Sequence, residues 1–496
     1  MLSPQTDPHV LAQELSHKHL IDGLLVPSQS GETFPVMNPA TSGIIGHAAA
    51  GDARDVDRAV ASAVRAQKDW AKRSARERGK LIARCGQLLE DHVEELGRLV
   101  ALESGKALRT ESRVEASILA DTFVYFGGLA SELKGETIPY SPDSLTMTLR
   151  EPVGVVGAII PWNVPMYLMA LKIAPALVAG NAVVVKSAEE TPLCCLRVCE
   201  ILNQILPPGL FNIVSGDGPV CGGPLAAHPD VNKISFTGSV ETGRIIHKAA
   251  AEKLVPVTLE LGGKSPMVIM GDADLDRAVA GAVTGVRFTR QGQSCTAASR
   301  IFIHRSLHDE FIDRLAKEVD AMKMGDPLDE STDIGTIVSP GQFERVHHYL
   351  KAARADENAV VRVCSQVPTD PRLNAGLFVQ PAIISGLSND HAVCREEIFG
   401  PVTCVMPFDT YEEAIEMANE SEYGLAATMW TKDLSLAMRA VNDLEAGFVQ
   451  VNQNVVVQPM LPYGGVKTSG IGKEASLDAM LEHFTHRKTV IINMQP

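Results

Sequence analysis

The chain has 496 residues, 45% of them hydrophobic and 21% charged, with a net charge of −15 at neutral pH. That length exceeds one usual domain and supports a large buried core, while the acidic balance excludes nucleic acid and anionic membranes as partners, because neither attracts a negative surface. There is no basic-then-apolar leader, no run long enough to cross a bilayer, and nine irregularly spaced cysteines that fit neither a disulfide framework nor a zinc site, so a cytoplasmic protein acting on a small molecule is expected.

The first strong helical pattern is DVDRAVASAVRAQKDWAKRS, where Val56, Val60 and Val64 share a stripe with Ala59 and Ala63, and Asp55 is available as the N-cap. The alternating stretch SLTMTLREP predicts an exposed β-ribbon near Ser144 to Arg150. From Pro152 onward, short apolar runs alternate with helical ones. VGVVGAII, NAVVVKS, LFNIVSG and VNKISFTGS read as buried strands, with MYLMALKIAPALVAG and CCLRVCEILNQIL as helices between them. Cys195 and Cys199 lie four apart on the second of these helices and read as small core residues. Strand and helix in alternation imply a parallel doubly wound sheet with its ligands beyond the carboxyl ends of the strands.

A second series follows Gly263, with strands at PMVIM, RIFIH and VTCVMPF and helices at LDRAVAGAVTGVRFT and LHDEFIDRLAKEVDAM. The fold class expected is therefore α/β, with two parallel doubly wound domains. The C-terminal HRKTVIINM alternates like the earlier ribbon, and exposed strands of this kind invite pairing with another subunit.

Polar residues at the strand ends suggest chemistry. IIPWNVP holds Asn163 between two prolines, either as a turn former or as a carboxamide rigid enough to steady an oxyanion. VVVKSAEET puts Lys186 and Glu189 just past a strand, as a solvated ion pair or as a ribose-binding pair whose carboxylate favours NAD over NADP. In ISFTGSVETG, Gly238 and Ser239 open a helix whose free amides can face a phosphate. Glu260 ends a strand in VTLELGGKSP, as a capping group or a general base. Cys295 in RQGQSCTAASR lacks the apolar neighbours of a core thiol, and REEIFGP places Glu397 and Phe399 before a Gly-Pro turn.

Taken together, PWN, FTGS, ELGGKS, GQSC, EEIFGP and PYGGVKTSGIGKE, with NPAT near Asn38, resemble the motifs of the aldehyde dehydrogenase superfamily in order and approximate spacing over nearly the whole chain. The resemblance implies that Cys295 is the nucleophile, Glu260 the general base, and Asn163 an oxyanion donor alongside the Cys295 amide. It implies that Lys186 and Glu189 hold the adenosine ribose, Gly218, Gly238 and Ser239 the pyrophosphate, and Glu397 with Phe399 the nicotinamide end, with Trp162 and Leu261 also beside the cofactor. Lys172 and Glu474 match positions that pass protons outward. The implied division is a dinucleotide-binding domain of residues 1–133 and 153–262, a catalytic domain of 263–463, and an oligomerisation region of 134–152 with 478–496, forming a homodimer or homotetramer.

The implied reaction is thiolate addition to an aldehyde, hydride transfer to NAD, and hydrolysis of the thioester, with NADP as a possible substitute. Small neighbours should leave the Cys295 sulfur accessible, and a depressed thiol pKa is expected to keep it reactive. The positions of the substrate tunnel carry Ile118, Tyr167, Leu168, Leu171, Phe288 and Val455 to Val457, an apolar lining that predicts an aromatic or medium apolar aldehyde. Arg290 reads as a surface salt-bridge residue or, if it points inward, as an anchor for a carboxylate-bearing semialdehyde. Ser187 departs from the proline that relatives often have after the ribose lysine. A CoA-acylating relative generally lacks the glutamate present at Glu260, and a silent structural relative would have no need of Cys295, Asn163 and Glu260 together.

Overall fold

The computed structural model describes residues 7–454 and 458–495. Five strands, Val155–Ile159, Ala182–Lys186, Phe211–Val214, Lys233–Thr237 and Val257–Glu260, run parallel at the centre of an eight-stranded sheet. All but one of their residues are buried, which is why they read as continuous apolar runs rather than alternating ones. The 155–159 strand is flanked by 182–186 on one side and 233–237 on the other. Chain order therefore reverses between 155–159 and 233–237, and a ligand crevice forms beyond the carboxyl ends at such a point. His19–Ile21 and Leu24–Val26 close one edge, and Gly470–Ile471, from near the end of the chain, closes the other by antiparallel pairing to 257–260.

A second sheet has seven strands, of which only Val360–Val363, at its edge, is antiparallel to its neighbour. Period-two alternation sorts its side chains: Val268 and Phe302 enter one apolar cluster, while Met267, Ile269, Ile301 and Ile303 enter another on the opposite face. A three-stranded ribbon pairs Thr485–Asn493 with Ser144–Pro152 along nine residues and continues to Thr137–Ser141. Leu145, Leu149, Ile491 and Ile492 on the ribbon are exposed.

The Ala53–Ala71 helix buries Val56, Ala59, Val60 and Ala63, but its N-cap is Asp52. Asp55 sits at the third helical position and accepts from the Asp52 amide, completing a reciprocal capping box whose first member lies one turn earlier than the apolar stripe suggests. Cys194, Cys195 and Cys199 are buried in the apolar cluster around the first sheet.

Candidate functional site

Strand register gathers the polar residues of the first sheet at one edge. Ile159 pairs with Lys186 and with Phe236, and Thr237 pairs with Glu260, so the loop holding Asn163 leaves the sheet beside Lys186, Thr237 and Glu260. From the second sheet come two loops that each lead into a strand: the Cys295 loop before Arg300–His304 and the Glu397 loop before Val402–Phe408. The Cys295 loop is stapled. Gln291 donates to the Gly335 carbonyl at 2.6 Å, while Gln293 donates to the Thr336 carbonyl at 3.2 Å and accepts from the Val338 amide at 3.0 Å.

Two cavities meet at the cysteine. One is a tunnel of about 760 Å³ including its mouth, with Ile118, Tyr167, Leu168 and Leu171 in its apolar wall. The other is a cleft of about 1240 Å³ between Trp162, Gly238, Ser239, Glu260 and Leu261 on one side and Glu397 and Phe399 on the other. Asn163, Leu168 and Cys295 line both.

Cys295 is half-buried, whereas the other cysteines are buried. Its sulfur lies 3.1 Å from the Tyr463 hydroxyl. The expected depressed thiol pKa is corrected here. Burial pushes the thiol up to about 11, and the hydrogen bond to Tyr463 opposes that rise without overcoming it. Asn163 Nδ2 donates to the Gln293 carbonyl at 3.2 Å, and Lys106 Nζ donates to the Asn163 backbone carbonyl at 2.8 Å. Lys106 is also paired with Glu115, whose other oxygen accepts from the Met166 amide at 2.9 Å. The Asn163 loop and the start of the Pro165–Ala179 helix are thereby fixed by one buried ion pair.

Glu260 is buried, and among the described residues neither carboxylate oxygen has a hydrogen-bond partner. Burial, and then the nearby Glu474 charge, hold its pKa well above the usual carboxylate range, while Lys172 and Lys473 pull the other way. Space beside it is provided by Gly464, with φ +152, where a Cβ would stand 2.6 Å from Glu260 Oε1. Lys172 Nζ donates to Glu474 at 2.7 Å, and Ser235 donates to the same oxygen at 3.0 Å.

Of the residues expected to hold a dinucleotide, Trp162, Gly238, Ser239, Leu261, Glu397 and Phe399 line the cleft, whereas Lys186, Glu189 and Gly218 stand outside its lining. Lys186 pairs with Glu189 at 2.9 Å, and the Glu189 side chain remains 41% exposed, open to ribose hydroxyls. A Cβ on Gly218 would stand 4.0 Å from Glu189 Oε1, which puts Gly218 next to that pair. Ser239 caps the Val240–Lys253 helix by accepting from Thr242, leaving first-turn amides for a phosphate. Glu397 accepts from the Gly263 amide at 2.8 Å, and burial pushes its pKa up to about 7. Phe399 meets Trp162 edge to face at 5.3 Å. Gln342 holds the Ile398 and Phe399 carbonyls at 2.9 Å, and Arg345 holds that of Glu397 at 2.6 Å.

Three expectations for the tunnel need restating. Phe288 does not line it. The Phe288–Arg290 turn follows Arg287 in left-handed conformation, and this rotation sends Phe288 into the core with Met267, Val286 and Ile301. Arg290 is no surface residue: it lines the tunnel and donates from Nε to the buried Glu111 at 2.8 Å. Val455 and Val457 lie outside the described residues. Sequence reasoning missed Arg287, Glu111 and Tyr463, all of which line the tunnel. The Arg287–Arg290 spacing of three and the tyrosine of PYGG were the available signals.

Comparison with known proteins gives a consistent result. The family model described as Aldehyde dehydrogenase family matches residues 25–490. A betaine aldehyde dehydrogenase of Rhizobium johnstonii is 42% identical over 483 residues, 96% of this chain and 97% of that one. Among solved structures, an NAD+ complex of an aldehyde dehydrogenase from Bacillus cereus superposes with a TM-score of 0.94 at 38% identity, covering 99% of each chain. A betaine aldehyde dehydrogenase from Staphylococcus aureus in complex with NAD+ gives a TM-score of 0.94 at 36% identity, over 98% of this chain and 96% of that one.

Proposed function

Since the chain belongs to the aldehyde dehydrogenase family, we propose that it oxidises an aromatic or medium apolar aldehyde to the carboxylic acid, with NAD+ as hydride acceptor. The observation that carries this reading is the shared wall. Cys295 and Asn163 border both the tunnel and the cleft, so an aldehyde carbon and a hydride acceptor entering from opposite sides converge at the sulfur.

Cys295 adds to the carbonyl carbon, and the oxygen that gains charge is met by Asn163 Nδ2, which retains a second hydrogen beyond the one given to Gln293. The thiohemiacetal carbon then bears both sulfur and an electron-rich oxygen, which makes its hydrogen a competent hydride. The bound dinucleotide supplies the acceptor for that hydride. Lys186, Glu189, Gly218, Gly238 and Ser239 hold its adenosine and phosphate end, and Trp162, Leu261, Glu397 and Phe399 its nicotinamide end. The thioester left on Cys295 is released by water activated at Glu260, and Lys172 with Glu474 takes the proton onward. Because Glu260 is base only above its raised pKa, turnover limited by hydrolysis rises with pH.

In the same reading, residues 1–133 with 153–262 hold the dinucleotide, 263–463 carry the nucleophile, and the ribbon of 134–152 with 478–496 pairs subunits through its exposed isoleucines and leucines. Betaine aldehyde, the substrate in the name of the Rhizobium relative, is a quaternary ammonium compound. Among the described residues of this tunnel both carboxylates are already paired, Glu111 with Arg290 and Glu115 with Lys106. The test is NADH formation at 340 nm with NAD+ or NADP+ and a panel from acetaldehyde through hexanal to benzaldehyde, with Cys295→Ala as control. Cysteine-dependent turnover fastest with hexanal or benzaldehyde is expected, and its absence with every aldehyde refutes the proposal.

A further inference from the structure

The Lys233–Thr237 strand is buried along its whole length, yet its residues alternate polar and apolar, a pattern that normally marks a strand with one face in water. Ile234 and Phe236 enter the apolar cluster of the first sheet, as does Leu259 of the neighbouring strand. Lys233, Ser235 and Thr237 point the other way, and the parallel register sets Ser235 beside Thr258 and Thr237 beside Glu260 on that same face. A polar track therefore runs through the interior from Glu260 to Lys233. Burying polar groups is costly unless they are paired. Along this track Glu474 Oε2, Thr237 Oγ1 and both Glu260 oxygens have no hydrogen-bond partner among the described residues, so each has a lone pair open to a bridging water.

Direct hydrogen bonds join the rest of the track. Ser235 donates to Glu474 Oε1 at 3.0 Å, and Lys233 Nζ donates to Thr258 Oγ1 at 3.1 Å. Ser235 and Thr258 stand one strand spacing apart, ~4.8 Å, which a single water spans. The Lys233 ammonium is fully buried, its side chain hydrogen-bonded only to Thr258 among the described residues, with the Phe484 ring centre 5.4 Å from Nζ. Burial draws its pKa down to about 7, with Glu474 opposing the shift and Lys172 adding to it. Near it stands His483, half-buried at the end of the Leu477–His483 helix, whose pKa burial and then the Lys233 charge draw down to about 4.

We propose that Lys233 is the inner acceptor of the proton released in thioester hydrolysis, reached from Glu260 by way of Glu474, Ser235 and Thr258. The inference rests on the oxidation proposed above and follows its proton beyond Lys172 and Glu474. In hydrolysis the water oxygen bonds to the thioester carbon, one water proton goes to the Glu260 carboxylate, and the carbon–sulfur bond breaks with its electron pair left on Cys295. Glu260 then gives its proton to the Glu474 carboxylate. With Glu474 protonated, the Ser235 and Thr258 hydroxyls turn, each handing one proton on as it takes one up, and the neutral Lys233 amine becomes an ammonium. That ammonium discharges past His483 to solvent, which restores the amine for the next turnover.

The experiment follows NADH by stopped flow, with hexanal and benzaldehyde, in the native protein, Thr258→Val, Lys233→Met and the double variant. The first turnover should keep its rate within about twofold in all of them, because neither residue touches the sulfur or the cleft. The steady rate should fall about tenfold or more in either single variant, and no further in the double one, since both residues lie on one path. Imidazole at rising concentration, a small base that can take the proton from the cleft side, should restore the variants' steady rate and leave the native rate unchanged. Thr258→Val, which only exchanges a hydroxyl for a methyl, carries the test should Lys233→Met fail to fold. Steady rates within about twofold of native, or losses that imidazole does not repair, would overturn the inference while leaving the oxidation standing. Losses that multiply in the double variant would put the two residues on separate paths and likewise overturn it. Failure of the native protein to reduce NAD+ with every aldehyde would remove both readings.

Discussion

Replacing Tyr463 by Phe removes one hydroxyl and leaves the ring against Phe448, with which it packs at a centroid distance of 5.9 Å. The hydroxyl lies 3.1 Å from Cys295 Sγ, and once the thiol ionises only the phenol can donate. A hydrogen bond to a charged acceptor contributes about 1.5–3 kcal/mol, or roughly one to two pKa units. The thiolate fraction in the Phe variant falls accordingly, but the more basic thiolate is also more nucleophilic. With a Brønsted slope of about 0.4–0.5, the net loss in alkylation rate near neutral pH is roughly four- to fifteen-fold. The assay is iodoacetamide labelling of Cys295 from about pH 7 to 10, followed by peptide mass spectrometry, which separates this site from the buried cysteines. The deficit should stay constant across that range, because the thiol of the native protein, at about 11, titrates above it. Native and variant rates within twofold of each other at every pH would refute the assignment of Tyr463 as the thiolate's donor.

Three further outcomes follow from the same geometry. Glu260→Gln should give a burst of about one NADH per site and then a steady rate lowered by ~10²–10⁴, read by stopped-flow absorbance; an unchanged steady rate places the base elsewhere. Lys172→Met removes a positive charge that holds the Glu260 pKa down, so the rising limb of the kcat–pH profile should move to higher pH; a limb that stays or moves down contradicts the coupling. Phe288→Ala should cost about 3–5 kcal/mol of stability, visible as a lower Tm, with KM for the aldehyde changed less than twofold because the side chain packs in the core.

The parallel strands were legible in the sequence because burial on both faces writes itself as local Val- and Ile-rich runs, and their Gly, Pro and Ser endings are local too. The loops with Asn163, Lys186 and Glu260 could be found because each sits at such an ending, and Cys295 because its neighbours in sequence are small and polar rather than apolar. What stayed hidden was set over long range or by a single dihedral. Tyr463 meets Cys295 across 168 residues, and Arg290 meets Glu111 across 179. Phe288 was misplaced because a left-handed residue just before it, Arg287 with φ 61, turns the short helix and exchanges inside for outside. The high thiol pKa comes from burial, which small neighbours in sequence do not reveal. Asp55 was one turn from the true cap because Asp52 and Asp55 both suit an N-terminus, and only the chain path distinguishes them.

The edge strand Gly470–Ile471 belongs to the first sheet although it is made after the whole of the second. Tyr463 and Glu474 flank it and exchange two backbone hydrogen bonds, at 3.0 and 2.7 Å, so they form the stem of one hairpin. Lys172 waits 302 residues for its partner Glu474. During synthesis, therefore, Cys295 is made without its phenol and Lys172 without its counter-ion, and each gains its partner only after every strand of the second sheet has been made. The pocket around Cys295 and Glu260 is thus completed by the same hairpin that closes the first sheet, so sheet edge and site are finished together.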